Sequence, residues 1–476
     1  MKYSFTILFA LLFTHSLFAQ LFREVAKSRS FIPDVTNILV GPGTGERLLD
    51  YPVANTFVGY YAGNYTVSGY GNNFLGYKSG YNNDSGNNNN FIGYQAGFSN
   101  VSGSHNNFIG ILAGYSNTKG TSNIFIGAES GYYSLEGDYN IFVGNGAGRN
   151  NIYGSYNNFI GNGAGSSNFS GTENNFLGNV AGFSNTTGYH NNFIGRSAGQ
   201  SNTTGGNNNF IGSGSGYSNT TAKENNFFGF EAGHFNTTGE FNNFFGANAG
   251  YSNSVGNSNI FIGDKAGLFN FSGSKNIIIG PFSGTAITST DNNVLIGYNS
   301  QADNGLFNAT ALGANSRVTA SNALILGDQV NVGIGTSAPT ARLEIVSQSE
   351  NTSGLRLTSL IDNSPVVTQT DQFLTVDHQG NVVKARYQLR IQDTAQWSDK
   401  VFRPGYSLKS LPAVEAYIQQ HGHLPDMPSA DEVAEKGVDL VKMNALLLQK
   451  IEELTLHTIE LQKQVDQLKN KKDFER

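Results

Sequence analysis

The chain has 476 residues, with 59 glycines, ten prolines, no cysteine, 13% charged residues and a formal net charge of −6. That length admits about two to four domains, but so little charge and so much Gly, Asn, Ser and Thr require regular backbone pairing rather than one large core. The missing cysteines exclude disulfide staples and a lipidated N-terminal cysteine, and a mildly acidic chain without a basic stripe offers no electrostatic case for nucleic acid.

Residues 1–19 read as a secretory signal peptide, with Lys2, an apolar run from Phe5 to Phe18, and Ala19 before Gln20 as the cut. The run is shorter than the roughly 20 residues that span a bilayer, so export to the cell surface is expected, with no membrane span in the mature chain. Residues 20–50 follow as a leader or cap. Their glycine-rich stretch Gly41 to Arg47 lacks the Gly-Lys-Ser/Thr ending of a phosphate-binding loop.

Over residues 51–300 a period of seventeen dominates: Phe57, Phe74, Phe91, Phe108 and so on to Phe261 fall in one column, which Ile278 and Leu295 extend. Two residues before this column stands Asn, as in Asn55, Asn89, Asn106 and Asn293, and two residues after it stands Gly, as in Gly59, Gly93, Gly110 and Gly297. A seventeen-residue unit so rich in Gly and Asn is too short for a helical repeat. It predicts two short strands joined by two turns, with Gly97 and Gly103 supplying positive φ at the corners. Stacked at the strand spacing, about fifteen such coils form a parallel β-roll or β-helix solenoid about 70 Å long. Like residues then meet in ladders, and a buried Asn ladder satisfies its own amides.

Adjacent residues in a strand face opposite ways, so Phe91 and Ile92, like Phe108 and Ile109, lie on different faces and both faces are apolar. One fills the lumen. The other is a long apolar stripe that calls for partner chains, which three copies around an axis would bury symmetrically.

The units Asn106 to Gly114 and Asn191 to Gly199, of the form Asn-x-Phe-Ile-Gly-x-x-Ala-Gly, resemble the head repeats of trimeric autotransporter adhesins. The resemblance spans about 250 residues and implies a left-handed roll and a homotrimer. The family's usual unit is shorter, with small residues where this chain has Phe, and that family ends in a membrane β-barrel.

Beyond Gly297 the glycine spacing becomes sixteen and then fourteen, at Gly313 and Gly327, which makes residues 301–345 a zone of irregular repeats and a junction. The segments Asn331 to Pro339 and Ala341 to Ile345 resemble the repeat-to-shaft junction of bacterial tail-fibre-like surface proteins. Residues 346–386 alternate in short runs, as in Leu355-Arg356-Leu357 and Phe373 to Val376, with a turn at Gln379-Gly380-Asn381, and fit a thin β shaft.

Residues 387–437 read as a small α/β domain with a helix from Leu411 to Gln420, Ser429 as an N-cap, and a second helix over Asp431 to Glu435. Over residues 438–470 a heptad seam runs through Leu440, Asn444, Leu447, Ile451, Leu454, Thr458, Leu461, Val465 and Leu468, the signature of an α-helical coiled coil. Ile and Val at one seam position with Leu at the other lean towards two strands, against the three implied by the roll.

The segment from Trp397 to Leu454 resembles the C-terminal domain of tail-fibre-like proteins, and Ser398-Asp399 is similar, more distantly, to the self-cleaving chaperone domain of endosialidase-type tail spikes. That pattern has a lysine five residues after the serine. Here Arg403 stands in its place, and arginine cannot serve as the base, leaving Lys400 as the nearby substitute; self-cleavage is not expected.

His421 and His423 lack cysteine or acidic partners at metal-binding spacing, so no metal or other cofactor is expected. The acids of the roll, Glu129, Asp138, Glu173, Glu224, Glu231, Glu240 and Asp264, do not stack on one another as a catalytic pair. The expected role is an oligomeric extracellular fibre or adhesin whose turns, such as Asn202 to Gly205, meet surface glycans or proteins. The alternatives are a carbohydrate-active β-helix enzyme and a structural spacer.

Overall fold

The computed structural model describes residues 37–49, 54–349, 352, 354–358, 364, 372–386 and 397–474. The expected export signal lies outside the described residues. Two compact units divide the chain, Met1–Leu355 and Arg356–Arg476.

In the first unit eighteen three-residue strands form one parallel sheet, with 17 turns between the first strand and the last. The chain is thus a parallel β-solenoid over this region. The fifteen expected rungs run from Thr56–Val58 to Val294–Ile296. One further rung, Ile38–Val40, precedes them inside the segment read as a leader, and Thr310–Leu312 and Leu324–Leu326 follow. Register is strict: Asn90 lies on Asn107, Phe91 on Phe108 and Ile92 on Ile109.

Each regular coil carries one strand, where the sequence predicted two. The cause lies in the turn after the strand, where Gly93 (φ 138°), Gln95 (φ 52°) and Gly97 (φ 59°) place positive φ at every second residue and interrupt any second strand. The turns are paired all the same: Gly97 N–H reaches Ala113 O at 2.9 Å and Ser99 N–H reaches Tyr115 O at 2.9 Å. A second strand pair, Gln301–Ala302 with Arg317–Val318, forms where the coils shorten.

Gly97 fits the expectation of positive φ, and a Cβ there would also lie 2.5 Å from the Phe91 ring. Gly103 does not adopt a positive φ. It is small for lack of room, since a Cβ would lie 2.4 Å from Asn100 Oδ1 and 2.5 Å from Gly120 O. The same column holds Ala222 and Thr290, so space rather than backbone angle sets the preference.

The lumen is half apolar and half amide. Phe57 through Phe261 are fully buried, and successive rings stack in parallel, as Phe108 on Phe125 at 4.6 Å and Phe142 on Phe159 at 4.9 Å. Buried Ala96, Ala113 and their equivalents fill the space beside them. Each such pair adds about 1 kcal/mol to the burial of its rings. The inward residue changes from Phe261 to Ile278 and Leu295 within full coils and then to Ala311 where the next coil drops to sixteen residues and the smaller circuit encloses less volume.

The Asn column at 89 and 106 contains the expected side-chain ladder in part, as in Asn191 Nδ2 to Asn174 Oδ1 at 3.1 Å, and also bonds the backbone. Asn89 Oδ1 accepts the backbone N–H of Asn106 at 2.9 Å, while Asn89 Nδ2 donates to Gly103 O at 2.8 Å, so each amide braces the corner of the next coil. A second buried column, Asn83, Asn100, Asn117 and Asn151 through Asn270, supplies the continuous ladder: Asn185 Nδ2 donates to Asn168 Oδ1 at 2.7 Å and Asn202 Nδ2 to Asn185 Oδ1 at 2.7 Å. Thr66, Ser134 and Ile287 interrupt it. At those places Thr66 Oγ1, Asn117 Oδ1, Ser134 Oγ and Asn270 Oδ1 are buried without a protein hydrogen-bond partner.

In the second unit Gln372–Val376 and Val382–Arg386 form an antiparallel hairpin about the expected turn. The expected run Leu355-Arg356-Leu357 lies outside any strand. A 3-10 turn, Ser398–Phe402, is followed by three helices: α1 (Leu411–His421), α2 (Ala430–Lys436) and α3 (Leu440–Phe474). Gly422 ends α1 at φ 75°, and Ser429 with Glu432 forms a full capping box on α2. No helix among the described residues is long and apolar enough to cross a membrane.

Two substitutions test the ladder account. Ser134→Asn restores the donor that Asn117 Oδ1 lacks and raises solenoid stability by about 1 kcal/mol, read as a higher urea midpoint. Val180 is a β-branched residue at φ 52°, in a column where Gly146 and Gly163 also stand, so Val180→Gly raises the midpoint by a similar amount.

Candidate interaction surfaces

The outward face of the solenoid sheet comprises the first and third residues of each strand. From Thr56 to Ile296 that makes thirty positions on fifteen strands, and none carries Asp, Glu, Lys or Arg. Elsewhere the exposed columns do carry charge, as at Lys78, Glu129, Glu231 and Lys265 beside Gln95, or Glu173, Glu224 and Lys275 beside the inner Asn. Ile92 and Ile109 are half-buried, and Ile160, Ile194 and Ile262 are 39–42% exposed. Phe228 and Phe245 stack on this face at 4.8 Å.

Beside the apolar column runs an outward Asn column that the sequence reading did not single out. Asn158, Asn175, Asn192, Asn209, Asn226 and Asn243 form a chain in which each Nδ2 donates to the next Oδ1 at 2.7–2.8 Å. Asn73, Asn90 and Asn107 form a shorter one. These amides therefore have fewer bonds to seek from water than isolated surface amides.

The second surface lies on α3. Ala445, Gln449 and Glu452 are buried on the near side of the helix. The seam residues fall on the opposite side at 100° per residue. Leu440, Leu447, Ile451, Leu454, Leu461, Val465 and Leu468 are 42–65% exposed. The polar seam residues are held by their own helix, Asn444 Nδ2 on Leu440 O at 2.7 Å and Thr458 Oγ1 on Leu454 O at 2.8 Å.

Polar groups pin the near side. The Tyr406 hydroxyl donates a short hydrogen bond to Glu453 and accepts one from Gln449 Nε2 at 3.2 Å. Lys450 bridges Glu453 (2.9 Å) and Asp426 (3.3 Å), and Lys409 also reaches Asp426 (3.2 Å). Burial works to raise the Asp426 carboxyl, but hydrogen bonds and charge from Lys409 and Lys450 outweigh it and hold it below its ordinary value. Burial likewise opposes Glu453, which its bonds to Gln449, Tyr406 and Lys450 pull low. Burial first, and then Glu453, push Tyr406 up to about 12.

The other residues weighed for chemistry are dispersed. Ser398 opens the 3-10 turn, and Arg403 N–H closes it onto Lys400 O at 3.2 Å. His421 and His423 have ring centres 6.2 Å apart beside Tyr417, and no group of three or more His, Asp or Glu that could hold a metal occurs among the described residues. Roll acids engage neighbouring coils: Glu129 with Arg149 (2.7 Å), Glu173 with His190 (3.2 Å), and Asp138 with Thr121. In the turn Asn202 to Gly205, Asn202 and Gly205 are buried and Thr203 Oγ1 donates to Thr220 O at 3.0 Å, so Thr204 is the exposed member.

The pinning network responds to pH at both ends. Because the folded Asp426 and Glu453 are depressed, their contribution is present above the ordinary carboxylate range near pH 4 and is lost as pH falls through it. Because Tyr406 is raised, its contribution is present below about pH 10 and is lost as pH rises through about 12. The melting midpoint of the helical unit should fall at both extremes, and Tyr406→Phe should reduce the alkaline fall most and lessen the acid fall through the lost bond to Glu453.

Comparison of the chain with protein-family models, with curated proteins and with solved structures returned no match.

Proposed function

We propose that the chain is an exported, homo-oligomeric surface fibre of the tail-fibre or adhesin kind, in which the solenoid gives reach and α3 gathers the chains. The observation that carries this reading is the two-sidedness of α3. A helix that packs on its own domain through Gln449 and Glu453 has no intramolecular use for an apolar seam on its far side. The seam continues to Leu468, and the described residues from Ile459 to Lys471 are all exposed. That part of the helix has no tertiary packing among the described residues, and a partner helix on the seam is its natural support.

A trimer follows from the resemblance to autotransporter head repeats, and the seam composition leans to two chains. The thin shaft belongs to the same reading, with the hairpin at Gln372–Arg386 as its one paired element among the described residues. The exposed turns, Thr187, Thr204, Thr221 and Thr238 among them, are the surface offered to glycans or proteins. The pairing of Glu129 with Arg149 and of Glu173 with His190 favours structural roles for these acids over the general acid and base of a carbohydrate-active enzyme.

Circular dichroism of the helical signal tests the reading. In the parent protein a tenfold rise in concentration should raise the melting midpoint of α3, and the pair Ile451→Lys and Leu454→Lys should abolish that dependence. A parent whose helix melts independently of concentration would overturn the proposal.

A further inference from the structure

The outward face of the solenoid sheet is regular and without charge, and its Asn column is bonded along the axis, one donor and one acceptor per amide. Residues 51–300 carry 17 Asp, Glu, Lys and Arg residues, and all of them lie off the thirty positions of this face. Charge on exposed β surfaces is the usual guard against unwanted pairing, and here it is withheld from one face and supplied to the others. Drying the face costs less than for isolated amides, because the Asn158 to Asn243 amides bond one another along the axis and the sheet backbone is paired between coils.

We infer that this face is covered by a second copy of the same chain, running parallel and in register. Fifteen rungs at about 4.8 Å, each about 10 Å wide, present roughly 700 Å² per copy and about 1,400 Å² in total. That falls within the roughly 1,200–2,000 Å² of a stable specific interface. A partner of unrelated sequence would need its own fifteen-rung periodicity to match the columns, and the copy possesses it.

Register is written into the first-position column. It reads Asn at 73, 90 and 107, Ile at 124 and 141, Asn at the six rungs from 158 to 243, then Ile260, Ile277 and Val294. In-register copies place Ile124 on Ile124 and Phe228 on Phe228, whereas a slip of one rung sets Ile against Asn at every block boundary. The direction rests on the reading of α3 as a parallel coil, because an antiparallel copy that sets Ile160 near Phe245 of its neighbour still matches the blocks from Ile124 to Ile277.

The absence of cysteine makes the test direct. Single variants Ile160→Cys, Phe245→Cys and, on the exposed turn, Thr204→Cys are prepared in the full-length chain. Each is treated with a bis-maleimide reaching about 10 Å, the separation of face-packed sheets. Ile160→Cys and Phe245→Cys should each yield covalent dimer at least about tenfold above Thr204→Cys. Five rungs, about 24 Å, separate positions 160 and 245, beyond the reagent's reach. Product formed only in a mixture of those two variants would mean antiparallel copies and overturn the inference, as would absence of product. Absence of product in a protein whose α3 still melts with concentration dependence overturns the face alone; product in a protein whose α3 melts without it overturns the coil alone.

Discussion

One constraint governs the solenoid: each residue must lie on its counterpart seventeen positions away, at the rise of one strand on the next. The Phe rings answer it by stacking in parallel at 4.6–4.9 Å, as flat rings at the rung spacing can. The amide columns answer it because one carboxamide presents a donor up and an acceptor down at the same spacing. Where a rung departs from the pattern, as at Ser134, the failure is local and leaves Asn117 Oδ1 orphaned, which shows how little slack the repeat allows.

Stacking acts on the outside as well as in the lumen. Charges can share an outward column only if opposites adjoin, as Lys119 and Glu136 do at 3.0 Å, or if neutral rungs separate them. The sheet face takes neither course and keeps to Asn and aliphatic or aromatic residues throughout. Helix α3 repeats the division at the other end of the chain, with Tyr406, Gln449 and Glu453 on the side that meets its own domain and Leu447, Ile451 and Leu454 on the side that does not. Both surfaces are apolar where no partner for them occurs among the described residues.

Much of this was legible in the sequence because a period of seventeen repeats one decision many times. The Phe, Asn and Gly columns, their stacking, the capping Ser429 and the presence of a helix over the heptad segment read correctly from spacing. The count of strands per coil did not, because positive φ at a non-glycine such as Gln95 leaves no mark in composition. The second Asn column was visible at the same period, but Asn100 or Asn185 in a run of Asn, Thr and Gly reads as a polar turn until burial is known. The outward ladder was hidden for the opposite reason: Asn158 adjoins Asn157, and the two amides do different work on opposite sides of the strand. Gly103 was assigned the wrong cause because a glycine needed for space and one needed for positive φ look alike in sequence.

The measurement that bears most directly on this account is cryo-electron microscopy of the intact protein. It should show particles containing more than one solenoid, joined through the face that carries Asn192 and Ile194, with the rungs of one copy level with those of the next. Single solenoids with that face open to solvent would contradict it.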